Sequence, residues 1–311
     1  MSGGFILVLR YVVYDVFTDQ RLAGNPLAVV FGGDDWSTEK MQAVAGEMNL
    51  SETVFVHKAE NPAHAAKLRI FTPGRELPFA GHPTVGTAIA LTEMNRSDSA
   101  PTLDTVFMLE ETVGPVRCAV SLSEGQAGFA EFDLPRKPAP IDLNLDRQGL
   151  ADALGLKLSD LGFENHVPSV WSAGVPFLMM PVHNLAAVQS LEFDAGLWER
   201  AAPFVEGRLT SAYVYCRAGV HHAAKFHARM FSPDMGIPED PATGGAVAAM
   251  AGAIHHFDAL PDGNHPILIE QGVEMGRPSY IHLHIDIKDA EIFRARIGGQ
   301  AVRIASGELF L

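Results

Sequence analysis

Cysteine is scarce: the 311 residues include two, Cys118 and Cys216. Two residues so far apart build neither a disulfide framework nor a CxxC zinc site, and a reducing, cytoplasmic compartment fits such usage. Positive charge is also in short supply. Lys and Arg number 23 against 37 Asp and Glu, a formal charge of −14. A field of that sign repels phosphate backbones and anionic lipid, so nucleic-acid and membrane-surface binding are not expected, although local donors can still hold a small anion. Long apolar runs are missing. The longest uncharged stretch, Val170–Leu191, is interrupted by Pro176, Pro181, His183, Asn184 and Gln189, and reads as buried strand and turn instead of a membrane span. Phe5–Leu9 is too short, and too soon stopped by Arg10, to read as a secretion signal. Walker A, GxGxxG, GxSxG and HExxH patterns are all absent, which argues against common nucleotide enzymes, serine hydrolases and zincins.

What remains is a globular composition, 47% hydrophobic and 19% charged, of a length that suits two domains. Short β-branched or aromatic runs dominate the first half: Phe5–Phe17, Ala28–Phe31, Thr53–His57, Lys67–Phe71, Thr105–Leu109, Val116–Leu122 and Ala127–Phe132. Ser37–Met48 reads as a helix capped by Ser37 and ended by Asn49, and Pro83–Met94 as a second, small-residue helix. The proline cluster Leu134–Pro140 reads as a linker. Beyond it, Asp146–Leu154 and Leu197–Val205 are expected as surface helices. Leu209–Cys216, Ala224–Phe231, Ile267–Gln271 and Ser279–Ile287 are expected as strands, and Thr243–Phe257 as a Gly/Ala-rich helix. Gln300–Ala305 and Glu308–Leu311 read as a terminal hairpin, able to cross back to the first half.

An internal repeat reorganises this series. Arg69, Phe71, Thr72, Pro73 and Pro78 each have a partner 160 positions later, in Arg229, Phe231, Ser232, Pro233 and Pro238. Each segment runs into a glycine-rich stretch, Gly81–Ala88 and Pro241–Ala248, and then a small-residue helix. Thr53–His57 matches Ser211–Tyr215 in character, which sets Thr210 opposite Glu52. A duplicated half explains several identities at one offset better than chance does. The expected division is residues 1–133 and 134–298, with 299–311 joining the first half as a strand. Related halves commonly enclose a ligand site between them.

Glycine inside a helix costs about 1 kcal/mol relative to alanine, so Gly244, Gly245 and Gly252 call for close packing as compensation. The first turns of both helices, near His82–Thr84 and Thr243–Gly245, would also offer free N–H groups to a carboxylate. Glu52 lies where a helix gives way to a strand, beside an apolar run. Desolvation there would lift its pKa and suit it to acid–base work; a solvated loop carboxylate is the plain alternative. Asp240 precedes the glycine helix and His82 precedes the other, at related places of the two copies. Capping and packing are their ordinary roles; together with Glu52 they make a set able to move protons. His282 and His284 alternate along one strand with acceptable spacing for two metal ligands, but no third ligand is evident. Cys118 and Cys216 read as buried and inert.

These residues carry a family resemblance. Gly24–Val29, Asn49–Phe55 (NLSETVF), Arg69–Gly86 (RIFTPGRELPFAGHPTVG), Met230–Ala246 (MFSPDMGIPEDPATGGA) and Gln271–Ser279 (QGVEMGRPS) resemble the phenazine-biosynthesis, PhzF-like, family of isomerases, in order and over essentially the whole chain. The resemblance implies the α/β (α+β) diaminopimelate-epimerase-like fold: two pseudo-symmetric halves, each a curved, mostly antiparallel sheet around a central helix, with the site between them. Epimerases of that fold use two thiols at the glycine motifs, where this chain has Ala80 and Thr243. Two-thiol epimerisation is therefore disfavoured. PhzF-like members instead use a glutamate, matched by Glu52, as proton-shuttling acid/base; His82 and Asp240 match other active-site positions. Gly81, Thr243, Gly244 and Gly245 fall at the substrate-binding turns. No metal, no organic cofactor, a small anionic carboxylate as substrate and often a homodimer are further implications. The family has Gly-Ser where this chain has Gly244-Gly245, so the hydroxyl is missing while a backbone N–H remains.

The expected function is a cofactor-independent isomerase that shifts a proton within a small, cyclic or amino, carboxylic acid by Glu52 acid/base catalysis in the cleft between the halves. A non-catalytic small-acid binder that kept the cleft is the alternative, with a metal-dependent enzyme using His282 and His284 behind it.

Overall fold

A computed structural model describes residues 8–96 and 101–311, so Phe5–Leu7 of the first expected strand lie outside the described residues. The chain divides into two compact units, Met1–Phe132 with Gly299–Leu311, and Asp133–Gly298. The first unit is built from β1 (Val8–Val16), β2 (Asn25–Phe31), α1 (Thr38–Met48), β3 (Glu52–His57), β4 (Ala66–Phe71), β5 (Glu76–Leu77), α2 (Gly81–Met94), β6 (Thr102–Glu111), β7 (Gly114–Ser123) and β8 (Gly128–Asp133). The second contains β9 (Ala139–Ile141), α3 (Arg147–Ala153), β10 (Ser169–Ser172), β11 (Pro176–Pro181), α4 (Leu185–Gln189), α5 (Ala195–Ala201), β12 (Phe204–Val205), β13 (Arg208–Leu209), β14 (Ser211–Arg217), β15 (Phe226–Ser232), β16 (Ile237–Asp240), α6 (Gly244–Asp258), β17 (Gly263–Gln271) and β18 (Ser279–Lys288). The last strand, β19 (Glu291–Phe310), begins in the second unit and ends in the first.

Each unit repeats one pattern of strand pairing. In the first, β1 runs antiparallel to β2, β2 parallel to β3, β3 antiparallel to β4, β4 parallel to β6, and β6, β7 and β8 follow antiparallel. In the second, β10, β11, β14, β15, β17, β18 and the start of β19 pair in the same sequence of senses. The parallel steps are bridged by longer crossovers, which hairpins cannot supply.

Register refines the equivalences. Thr53 faces Phe71 in the first unit, while Ala212 faces Phe231 in the second. Glu52 therefore corresponds to Ser211, one residue on from the expected Thr210. Ile70 faces Leu77 and Met230 faces Asp240, so the counterpart of Asp240 is Leu77, not His82. A 3-10 turn at Pro233–Met235 and the left-handed Gly236 (φ 69°) lengthen the second copy here. The helices then align by their caps, Ala80 with Thr243. That alignment pairs Pro78 with Pro241 instead of Pro238, and His82 with Gly245.

The helix α1 starts as its sequence implies: Ser37 Oγ accepts the Lys40 N–H at 3.3 Å, and left-handed Asn49 ends it. Such a cap is worth about 1 kcal/mol. The residues of α2 from Gly81 to Ala90 are all buried, and α6 is buried from Ala246 through Ile254. A helix apolar all round belongs in a core. Small residues let the sheets close on both. A Cβ on Gly86 would stand 2.6 Å from Leu27 Cδ2 and 2.8 Å from Val16 Cγ2, and one on Gly252 would stand 2.5 Å from the Trp171 ring.

Three expected elements also take a different form. The terminal hairpin is one continuous strand, whose Ala301–Phe310 portion pairs antiparallel with β1; Ser306-Gly307 reads locally as a turn, but ladder bonds to Tyr11 and Val12 keep it extended. The Leu197–Val205 helix stops at Ala201 and gives way to the β12–β13 ribbon, because Pro203 disfavours helix in the residue before it. The Leu134–Pro140 linker is partly a strand: Ala139–Ile141 pairs with β10, and Pro140 is tolerated as it would be on an edge.

Candidate functional site

In the first unit, the αL residue Asn49 turns the chain out of α1, so that Glu52 opens β3 opposite Leu27 of β2. Glu52 is 8% exposed and His82, in the first turn of α2, is 4% exposed. Glu52 Oε2 lies 3.1 Å from His82 Nε2. The approach is close in distance but off the line of a straight hydrogen bond. Burial pushes the His82 pKa down to about 3, so the imidazole is neutral at physiological pH. A neutral ring keeps one donor and one acceptor nitrogen, able to steer a proton on or off the neighbouring carboxyl. Ala80, the N-cap of α2, is extended and supplies no side-chain cap. The N–H groups of Gly81 and His82 are therefore not consumed by a capping side chain; Pro83 has none to offer.

In the second unit, Asp240 closes β16 and is buried. Thr243 Oγ1 donates to Asp240 Oδ2. Gln271 ties the turn together: Nε2 donates to the Asp240 carbonyl at 2.7 Å and to Thr243 Oγ1 at 3.1 Å, while Oε1 accepts the Thr243 N–H at 3.2 Å. Gly244 and Gly245 follow as the first two residues of α6. Tyr213, fully buried on β14, has a hydroxyl without a hydrogen-bond partner among the described residues. Burial, with the Asp240 charge adding to it, raises its phenol above the ordinary range.

The structure thus brings Glu52 and His82 together in one unit, and Asp240, Thr243, Gly244 and Gly245 together in the other. Sequence reasoning did not single out Gln271, Tyr213 or Glu111, a buried acid of the first unit. The repeat held a signal for two of them, because Glu111 and Gln271 are themselves 160 positions apart. His282 and His284 lie on the half-buried face of β18, opposite Gly298 and Arg296. Among the described residues, no group of three or more His, Cys, Asp or Glu is arranged to hold a metal ion. No helix among them is long and apolar enough to cross a membrane.

Two units of one strand pattern, each with a buried helix against its sheet and a polar cluster at that helix's first turn, are the architecture of the diaminopimelate-epimerase-like fold. The chain belongs to the family described as phenazine biosynthesis-like proteins (PhzC-PhzF), which matches residues 14–307, and it is an isomerase. It is 53% identical over 303 residues to an uncharacterized isomerase of Mesorhizobium japonicum, covering 97% of this chain and 99% of that one. It is 36% identical to the trans-2,3-dihydro-3-hydroxyanthranilate isomerase of Pseudomonas aeruginosa, again over 97% and 99% of the two chains. Its fold is similar to the crystal structure of the Bacillus anthracis phenazine biosynthesis protein of the PhzF family, with a TM-score of 0.84, 24% identity, and coverage of 98% and 100%.

Proposed function

We propose that this isomerase shifts a proton within a small cyclic or amino carboxylic acid, with Glu52 as the acid/base and no metal or organic cofactor. The observation that carries the reading is the buried Glu52–His82 contact of 3.1 Å. The Glu52 carboxylate takes a proton from a carbon made acidic by conjugation. The electron pair moves into the adjoining π-system, and Glu52, now protonated, delivers the same proton to the far end of that system. Atoms and charge balance without a co-reactant. His82, neutral through burial, orients the carboxyl and follows its change of protonation as donor or acceptor. Gly81 in the first unit and Thr243, Gly244 and Gly245 in the second supply backbone N–H groups suited to a carboxylate or a developing oxyanion. Asp240, held by Thr243, serves substrate orientation.

The P. aeruginosa relative's name gives a first substrate to test, trans-2,3-dihydro-3-hydroxyanthranilate. The experiment is turnover of that acid in heavy water by wild type and Glu52→Gln. Expected are turnover by the wild type, with deuterium entering the product wherever the relayed proton exchanges, and a loss of about 10³-fold or more in kcat for the variant. Turnover by E52Q near the wild-type rate would remove Glu52 from the mechanism.

A further inference from the structure

Glu111, the last residue of β6, has no part in the reaction just described. Its carboxyl is buried, 7% exposed. Among the described residues, Oε1 has one partner, Thr84 Oγ1 at 2.8 Å, and the buried Oε2 has none. Thr84 Oγ1 also stands 2.7 Å from the Ala80 carbonyl oxygen. A hydroxyl owns a single proton, and a carbonyl can only accept. With Thr84 donating to Ala80, the contact with Glu111 is a hydrogen bond only when the carboxyl provides the proton. A carboxylate would compete for the Thr84 proton and leave one of the two short oxygen pairs without hydrogen between them.

The second unit shows what that place in the fold calls for. Ala66 faces Leu109 in the first unit and Phe226 faces Ile269 in the second, so Glu111 and Gln271 stand at the same step, two residues further along each strand. Each holds the opening of its unit's central helix: Gln271 grips Thr243, the N-cap of α6, and Glu111 grips Thr84 in the turn begun by Ala80. A neutral carboxyl and a carboxamide share one planar shape with a donor on one side and an acceptor on the other.

We propose that Glu111 is kept as a neutral carboxylic acid that donates to Thr84 Oγ1, and so positions the first turn of α2 and the His82 it carries. The proposal rests on the reading of Glu52 and His82 as the reacting pair, and makes Glu111 a positioning residue. Holding the turn from beneath, through a hydroxyl, leaves the N–H groups of Gly81 and His82 uncommitted to a cap.

The surroundings agree. The titratable and charged groups on the packed elements are His82 and Glu93 on α2, Lys67 and Arg69 on β4, Arg117 and Cys118 on β7, and Asp104 and Glu110 on its own strand. None of them shifts the Glu111 carboxyl; burial lifts its pKa to about 8, against the smaller pull of the Thr84 hydroxyl. Glu110 is engaged elsewhere, accepting the Glu60 and Asn61 N–H groups.

Glu111→Gln tests this, since it keeps a donor for Thr84 and cannot ionise. The wild-type acid ionises near 4.5 when unfolded and near 8 when folded, so its burial costs the wild type progressively more stability as pH rises from 4.5 to 8. The Tm of E111Q minus that of wild type should therefore widen from pH 5 to 8 and level off above. The His82 ring resonances should move between pH 7 and 9 in wild type and stay still in E111Q. In kinetics, kcat/KM of the wild type should fall about tenfold from pH 7 to 9, E111Q should match wild type within about twofold at pH 7 and lack that fall, and Glu111→Leu should lose kcat more than it changes KM. A Tm gap that is constant from pH 5 to 9 overturns the neutral acid. A widening gap with unchanged His82 resonances overturns the positioning role. Neither measurement needs a substrate, so failure of both proteins to turn over the test acid would count against the proposed reaction and not against Glu111.

Discussion

A Cβ placed on Gly245 would meet the Phe177 ring at 3.6 Å, and nothing nearer. That is ordinary van der Waals contact, so the small residue at this place is not enforced by crowding. Glycine is also the poorer helix former by some tenths of a kcal/mol. Gly245→Ser, which installs the hydroxyl found in the resembling family, should fold with an unchanged or slightly raised Tm. With trans-2,3-dihydro-3-hydroxyanthranilate as substrate, one added hydrogen bond to developing charge should raise kcat/KM by about tenfold. A drop in Tm of several degrees would show that the 245 position is tighter than its geometry indicates.

The opposite case is Gly252. Its Cβ would stand 2.5 and 2.7 Å from two atoms of the Trp171 ring and 3.0 Å from Pro138 Cβ. Neither neighbour has a flexible tip that can swing aside. Overpacking of this kind costs about 1–3 kcal/mol, against about 1 kcal/mol gained by alanine in a helix. Gly252→Ala should be destabilised by about 1 kcal/mol, read as a lower urea midpoint at unchanged m-value.

His82 gives the fold an acid-side weakness. Its folded pKa of about 3 lies below the ordinary 6.5, so the unfolded chain binds the extra proton first. The stability it contributes is present above pH 6.5 and is lost as pH falls towards 3. His82→Asn should remove that component: the wild-type advantage in Tm at pH 7 should shrink or reverse at pH 4. Parallel curves would mean the ring protonates freely in the folded state.

His227 behaves in the reverse sense. Its ring is enclosed, with Nδ1 2.6 Å from Glu270 and Nε2 2.9 Å from Glu274. Burial works against the charged ring, but the two carboxylates win and raise its pKa to about 9. Stability from this pair is complete below pH 6.5 and fades as pH rises through 9. Replacing His227 with alanine takes the cation from buried Glu270 and half-buried Glu274 and should cost about 3 kcal/mol at pH 7, with a smaller loss at pH 10, measured by chemical denaturation at both values.

The sequence made the duplication visible because strand residues such as Arg69 and Arg229 repeat both chemistry and spacing. Each binds a glutamate through its Nε, Glu76 at 2.7 Å and Glu239 at 2.8 Å. It could not show where the offset changes. The 3-10 turn after Ser232 is set by local backbone geometry, and only the ladders reveal that Asp240 stands opposite Met230. Glu111 was hidden for a different reason. In Leu109-Glu110-Glu111 both acids look solvated, yet alternation in the strand buries one and leaves the other accepting backbone N–H groups near the surface. Only the continuity of the terminal strand was missed: Ser306-Gly307 looks like a turn locally, and the partner that keeps it extended, β1, is almost three hundred residues away, beyond any local pattern.

That pairing has a consequence for synthesis. Strand β1 leaves the ribosome well before Ala301–Phe310, which complete its ladder and are translated only after the whole of the second unit. Until then β1 presents an open edge of Val, Leu and Tyr to the cell, an invitation to aggregate. A nascent chain stalled before residue 299 is thus expected to need a chaperone that a released chain does not.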